Sequence, residues 1–281
     1  MEAQESAGKK DGSQIKIAMR ILKDYAGEMV TLDQIDGDFC RGYITYLLTE
    51  YHPKGKDISN YTLHNYYRAL NGALNSAVRK KKMKANPFNE LEKSEKIRKP
   101  ESMRSYMTIE EVQALIDTPM PHEEYEIVKC AYLFSCFCGL RISDIIKLKW
   151  NDVFVDRGQY RLAVSMKKTK EPIYLPLSPE ALKWMPEHGG KSSEDNVFDL
   201  PSANTIRMQL KPWAKAAGIS KRFSYHTSRH TFATMMLTLG ADLYTVSKLL
   251  GHADVKMTQV YAKIINKKKD EAVNLVNGLF H

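Results

Sequence analysis

The sequence predicts a mostly α-helical protein of two domains, with one small antiparallel sheet in the second. Apolar residues recur at three- and four-residue spacing through most of the chain, as in helices that bury one face. Strict alternation is confined to about residues 160–177, which places the strands there. Asn86-Pro87-Phe88 interrupts the helical pattern, and Glu90 to Ser105 is charged and poor in large apolar side chains, as an interdomain linker is.

Residues 13–85 read as helical throughout. Ile17, Ile21, Leu22 and Tyr25 share one face of a first helix that stops near Gly27. Thr31-Leu-Asp33 reads as the N-cap of a second helix carrying Phe39, Tyr43, Ile44, Leu47 and Leu48. After the polar turn His52-Pro-Lys-Gly-Lys56, a longer helix runs from about Ser59 to Arg79. It ends in Arg79-Lys-Lys-Lys-Met-Lys84, more positive charge than a helix C-terminus needs to complement its dipole. The first domain is assigned to residues 1–95, the linker to 96–105 and the second domain to 106–281.

In the second domain Thr108-Ile-Glu-Glu111 forms a capping box and starts a helix. An apolar helix follows at Ile127–Phe137. Tyr160, Leu162, Val164 and Met166 line one strand face and Ile173, Leu175 and Leu177 another, joined through Lys167-Lys-Thr-Lys-Glu-Pro172. That is a hairpin with a basic tip. Ser178-Pro179-Glu180 caps a further helix with Pro at its first position. Three more helical segments are separated by Gly218, Gly240 and Gly251.

The chain carries a net charge of +9, which suits a polyanionic partner. The excess is +5 over residues 1–105 and +4 over the remainder, so both domains are basic. No apolar run approaches the ~20 residues needed to span a bilayer, and the first residues have no apolar core of a secretory signal. The four cysteines are scattered and read as small buried residues in a reducing compartment. There is no phosphate-binding Gly-Lys-Ser/Thr loop and no evident acidic Mg²⁺ cluster, so no cofactor is expected.

Four clusters carry candidate chemistry. Cys138-Gly-Leu-Arg141-Ile-Ser-Asp144 places an Arg and an Asp three apart, so that the carboxylate can orient the guanidinium. Tyr225-His226-Thr-Ser-Arg229-His230 sets an imidazole and a guanidinium at a helix start, a favourable place for a phosphate. Leu249-Leu-Gly-His252 holds a His in a turn nine residues before Tyr261, and Lys168 lies in the hairpin tip.

In this order and spacing the four clusters resemble the tyrosine recombinase (phage integrase) family, strongly over residues ~105–281. Residues ~13–95 resemble, more loosely, the helical, SAM-like core-binding domain that precedes the family's mixed α+β catalytic domain. The resemblance implies a site-specific DNA recombinase that cleaves and rejoins strands through a 3′-phosphotyrosyl intermediate. It makes Arg141 and Arg229 the clamp on the scissile phosphate and Tyr261 the nucleophile. His226 becomes a proton acceptor or second phosphate contact, and His252 a hydrogen-bonding partner of the phosphate. Lys168 becomes the general acid for the departing 5′ oxygen, with Lys167 and Lys170 as alternatives. Asp144 supports Arg141, and His230 packs beside the clamp.

The partners it implies are double-stranded DNA and, on DNA, a homo-tetramer assembled from free monomers, with possible accessory DNA-bending proteins and no membrane. The source element is expected to be mobile and the location cytoplasmic, at the bacterial nucleoid. The apolar tail after Tyr261, from Ala272 to Phe280, is expected to dock on a neighbouring protomer. Two other readings share the fold: a catalytically silent DNA-binding architectural factor, and a type IB topoisomerase. Formation of a covalent adduct separates the first from a recombinase, and strand exchange separates the second.

Overall fold

The computed structural model describes residues 12–100, 104–165 and 172–262. The chain divides into two compact units between Ser102 and Met103. The fold is mostly α with one small antiparallel sheet, in the second unit.

The first unit is built on α1 (Gly12–Ala26), α2 (Gly37–Thr49) and α3 (Asn60–Arg79). Their apolar faces meet at Ile21, Tyr43, Leu47, Leu70 and Leu74. α3 starts where the sequence places it, with the Ser59 hydroxyl accepting from Thr62 N–H. α2 starts later than the sequence reading has it. Asp36 is its N-cap, accepting from Phe39 N–H at 2.8 Å. Thr31 is instead held in a preceding turn, where its N–H donates to the Gln34 side chain. Two cap-like residues lie five apart here, and only the second is followed by a buried stripe.

The stretch read as a linker from Glu90 is folded at its beginning. Leu91 is buried in the first core beside Phe88, and Arg41 pairs with Glu95 at 2.8 Å. Asn86 ties this segment down, its amide donating to the Asn71 and Asn75 side chains at 2.7 and 2.8 Å. Lys80, Lys81, Lys82 and Lys84 stand exposed just beyond α3.

The second unit opens with α4 (Ile109–Asp117), whose capping box joins Thr108 and Glu111 as the sequence predicts. At its centre lies α5 (Glu126–Cys138), with nine of its 13 residues buried. The short α6 (Ile142–Ile145) leads to the sheet of β1 (Val153–Asp156), β2 (Gln159–Ser165) and β3 (Pro172–Pro176). The order is β1-β2-β3, with Leu162 opposite both Val153 and Leu175. β1 was not foreseen: it has four residues, and Val155 on it is 56% exposed, so its alternation is faint. The tip between β2 and β3, with Lys167, Lys168 and Lys170, lies outside the described residues, as does the chain beyond Ala262.

α7 (Pro179–Leu182), α8 (Ala203–Ala216), α9 (Tyr225–Thr238), α10 (Leu243–Leu249) and α11 (Lys256–Ala262) complete this unit. Gly218, Gly240 and Gly251 follow α8, α9 and α10, as the sequence reading placed them. The four cysteines are free, three of them buried. Among the described residues no helix is long and apolar enough to cross a membrane.

Candidate functional site

The site grows from the end of α5. Gly139 adopts φ +75°, the left-handed conformation that stops the helix. A Cβ there would lie 2.5 Å from Phe232 Cδ1 and 3.1 Å from Leu250 Cδ2. The turn therefore needs glycine for its backbone and for the close approach of α9 and α10. Gly139→Ala is expected to lower stability by about 3 kcal/mol through strain and overpacking, read as a lower urea midpoint at unchanged slope. An unchanged midpoint would show that the turn can relax at no energetic penalty.

Two residues on, Arg141 enters α6. Its N–H donates to the Asp144 carboxylate at 3.4 Å, and its guanidinium lies 4.0 Å from the same carboxylate. The Asp thus orients the Arg, as its spacing predicts.

α9 supplies most of the remaining groups. Polar residues are buried all round it, each with a partner. Thr227 bonds the Tyr132 hydroxyl at 2.8 Å, the Ser228 hydroxyl donates to Tyr225 O, and Met107 N–H donates to Thr231 Oγ1 at 2.9 Å. Such a helix lacks a one-sided apolar stripe, because its packing rests on satisfied hydrogen bonds as well as apolar contact.

Arg229 is 2% exposed, and its guanidinium donates to Gly139 O at 2.8 Å and to Leu250 O at 2.5 Å. Burial and the neighbouring charge of Arg141 lower its pKa to about 10, so it stays cationic at neutral pH. Two of its five N–H donors are used by these carbonyls, leaving three for an oxyanion.

His226, at the start of α9, has a lowered pKa through partial burial and the charges of Arg229, Arg104 and Arg141. Its ring stands edge-on to His230, 4.5 Å between centroids. His230 is 8% exposed, and its pKa falls to about 3, through burial first and then His226, Arg104, Arg229 and His252. The neutral ring's Nδ1 lies 2.6 Å from Tyr261 Oη. Tyr261 itself is 1% exposed, packed with Phe232 and Leu250 in a satellite core. Arg104 Nη1 donates to the same phenol oxygen at 3.3 Å. His252 sits in the turn after α10, its Nδ1 2.7 Å from the buried Thr258 hydroxyl.

His230 is neutral when folded and protonated more readily when unfolded. The unfolded state therefore binds more protons below pH ~6.5, and stability falls as pH drops from there toward 3. Its share of that loss between pH 7 and 4.5 is about 3 kcal/mol. Urea titrations at the two pH values should show a smaller loss for His230→Gln than for the wild type. Equal losses would mean that this ring is not held neutral.

The fold thus gathers Arg141, His226, Arg229, His252 and Tyr261 in the second unit, while Lys168 lies outside the described residues. Two contributors were missed or undervalued. His230, read as packing beside the clamp, instead contacts the phenol. Arg104, assigned to the linker, also hydrogen-bonds that oxygen. The only sequence signal for either is a position: His230 lies next to Arg229, and Arg104 lies four residues before the Thr108 cap.

Paired guanidiniums suited to a phosphodiester, set beside a tyrosyl hydroxyl on a basic two-unit chain, are the equipment of a tyrosine-dependent DNA strand transferase. The description "Phage integrase family" matches residues 105–268, and "Phage integrase SAM-like domain" matches residues 1–99. A tyrosine recombinase of Pseudothermotoga lettingae is 28% identical over 242 residues, covering 78% of this chain and 82% of that protein. Tyrosine recombinase XerD of Vibrio vulnificus is 32% identical over 184 residues, covering 60% of this chain and 59% of that one. In fold, the chain is similar to the XerH site-specific recombinase solved with palindromic difH substrate. The TM-score is 0.71 at 17% identity, covering 93% of this chain and 78% of that one. The Tn1549 transposon integrase solved with circular intermediate DNA gives 0.70 at 18%, covering 92% of each chain. The chain belongs to the phage integrase family and is a site-specific tyrosine recombinase, an enzyme that cleaves and rejoins DNA strands.

Proposed function

We propose that Tyr261 is the nucleophile of this recombinase and that double-stranded DNA is its substrate. The observation that carries this is the placement of Tyr261 Oη 2.6 Å from the neutral His230, in one cluster with Arg229 and Arg141. The phenol oxygen attacks the scissile phosphorus, an Oη–P bond forms, and the P–O5′ bond breaks. The two guanidiniums donate to the non-bridging oxygens, where charge builds in the five-coordinate transition state. His252 hydrogen-bonds the same phosphate, its ring held in place by Thr258 through Nδ1. His226 contacts the phosphate or takes the tyrosyl proton. Lys168 protonates the departing 5′ oxygen. The 3′-phosphotyrosyl linkage conserves the bond energy, and the reversed sequence rejoins the strand to a new 5′ end.

A phenol that is 1% exposed cannot meet a phosphate as it stands, so engagement of DNA has to open this pocket or shift α11. That fits a site completed by assembly, in which four protomers hold two DNA sites and the tail beyond residue 262 docks on a neighbour. Accessory DNA-bending proteins, a mobile-element origin and a nucleoid location belong to the same reading. The decisive experiment is a duplex nicked beside the cleavage position, which traps the covalent intermediate. The expected result is a protein–DNA adduct whose linked peptide contains Tyr261. No adduct, or an adduct on another residue, would overturn the reading.

A further inference from the structure

We propose that Arg104 is a catalytic residue of strand transfer, acting on the tyrosyl oxygen in both cleavage and rejoining. This rests on the reading of Tyr261 as nucleophile. Arg104 Nη1 donates to Tyr261 Oη, and the guanidinium carbon lies 5.7 Å from the phenol ring's centroid. Among the described residues, its hydrogen-bond partner is this phenol oxygen. A cation held against a neutral oxygen gains most when that oxygen becomes negative.

Its backbone is positioned rather than loose. Three residues later, Met107 is buried, and its N–H is fixed to Thr231 Oγ1, one residue along α9 from His230. The Tyr106 ring lies beneath Lys221, 5.4 Å away, and Thr108 closes the capping box of α4. Arg104 thus approaches the phenol from a strand of chain anchored on the helix that carries Arg229 and His230. Its charge also contributes to keeping His226 and His230 unprotonated.

In cleavage, the Oη–H proton leaves to His226 or to solvent, the Oη–P bond forms, the P–O5′ bond breaks, and the 5′ oxygen departs with a proton from the general acid. In rejoining, the 5′ hydroxyl gives its proton to the deprotonated general acid and its oxygen bonds to phosphorus, while the P–Oη bond breaks and the phenol oxygen departs with the electron pair and regains a proton from His226 or solvent. A guanidinium keeps its protons throughout. Arg104 therefore stabilises the tyrosyl oxygen in both directions without exchanging a proton, and its effect follows that oxygen rather than the 5′ oxygen.

The test uses the full chain and compares the wild type with Arg104→Ala and Arg104→Lys. Two nicked duplexes are used, one with the ordinary bridging 5′ oxygen and one with a bridging 5′ sulfur, whose thiolate departs without a general acid. At saturating protein, Arg104→Ala is expected to slow adduct formation about 100-fold on both duplexes. Rejoining of the isolated adduct to a 5′-hydroxyl strand should slow by a similar factor. Arg104→Lys should recover part of each rate, and it decides the matter if the alanine variant does not fold. DNA affinity by mobility shift should change less than about threefold.

Cleavage at the wild-type rate or faster would overturn the proposal, since Arg104 would then only latch the buried phenol. Restoration by the sulfur substrate would place its action on the leaving group, and a loss confined to affinity would make it a DNA contact. A wild type that forms no adduct, or a Tyr261→Phe variant that forms one, would instead overturn the assignment of the nucleophile.

Discussion

Tyr261→Phe should form no covalent adduct with a nicked duplex, a loss of at least about 10⁴-fold, while folding and binding DNA much as the wild type does. The substitution removes one oxygen from a side chain that is 1% exposed and packed against Phe232 and Leu250. The ring, and so the satellite core, stays filled. What disappears is the partner of His230 Nδ1 and Arg104 Nη1. The imidazole then lacks one hydrogen bond in a largely buried setting, which lowers stability by about 1–2 kcal/mol. Because binding rests on groups other than this hydroxyl, mobility-shift affinity should hold while cleavage vanishes. A variant still forming the adduct would move the nucleophile to another residue.

The second large effect is expected at Arg229. Arg229→Lys keeps the charge but cannot reproduce the two-pronged grip on Gly139 O and Leu250 O while still presenting donors to a phosphate. One buried carbonyl is left unpaired, which lowers stability by about 2 kcal/mol. Cleavage should fall about 10²- to 10³-fold, the range for removing a single aligned donor from a developing oxyanion. Arg229→Ala should lose more in both respects, because it removes every donor and leaves a cavity where the buried guanidinium stood. Single-turnover cleavage together with urea unfolding separates the two losses. A lysine variant with wild-type cleavage would show that Arg229 serves only to join the α5 and α10 ends.

Much of the helical framework could be read from local signals. Ser59, Thr108 and Ser178 cap the helices predicted for them, and each hydroxyl accepts an N–H three residues on. These are short-range contacts, set by residues within one turn. α2 shows the limit of that method: Thr31 and Asp36 both look like caps, and only the burial of Tyr43 and Leu47 on α1 and α3 selects the second. α9 shows another limit. Its buried threonines, serine and histidines mask any amphipathic period, and the Gly stop and the His-x-x-Arg spacing identified it instead.

By itself the sequence determined which kinds of groups the candidate site would hold and in what order, because Arg141, His226, Arg229, His252 and Tyr261 fall in recognisable local motifs. Only the tertiary structure decided which of them touch. Two histidines of α9 lie four residues apart, and the rotation of that helix against α5 and α11 turns His230, not His226, onto the phenol. Arg104 meets the same oxygen across 157 positions of chain, in a segment whose composition is that of a linker. Such pairings depend on how packed helices are rotated and spaced, and no local pattern of residues encodes them.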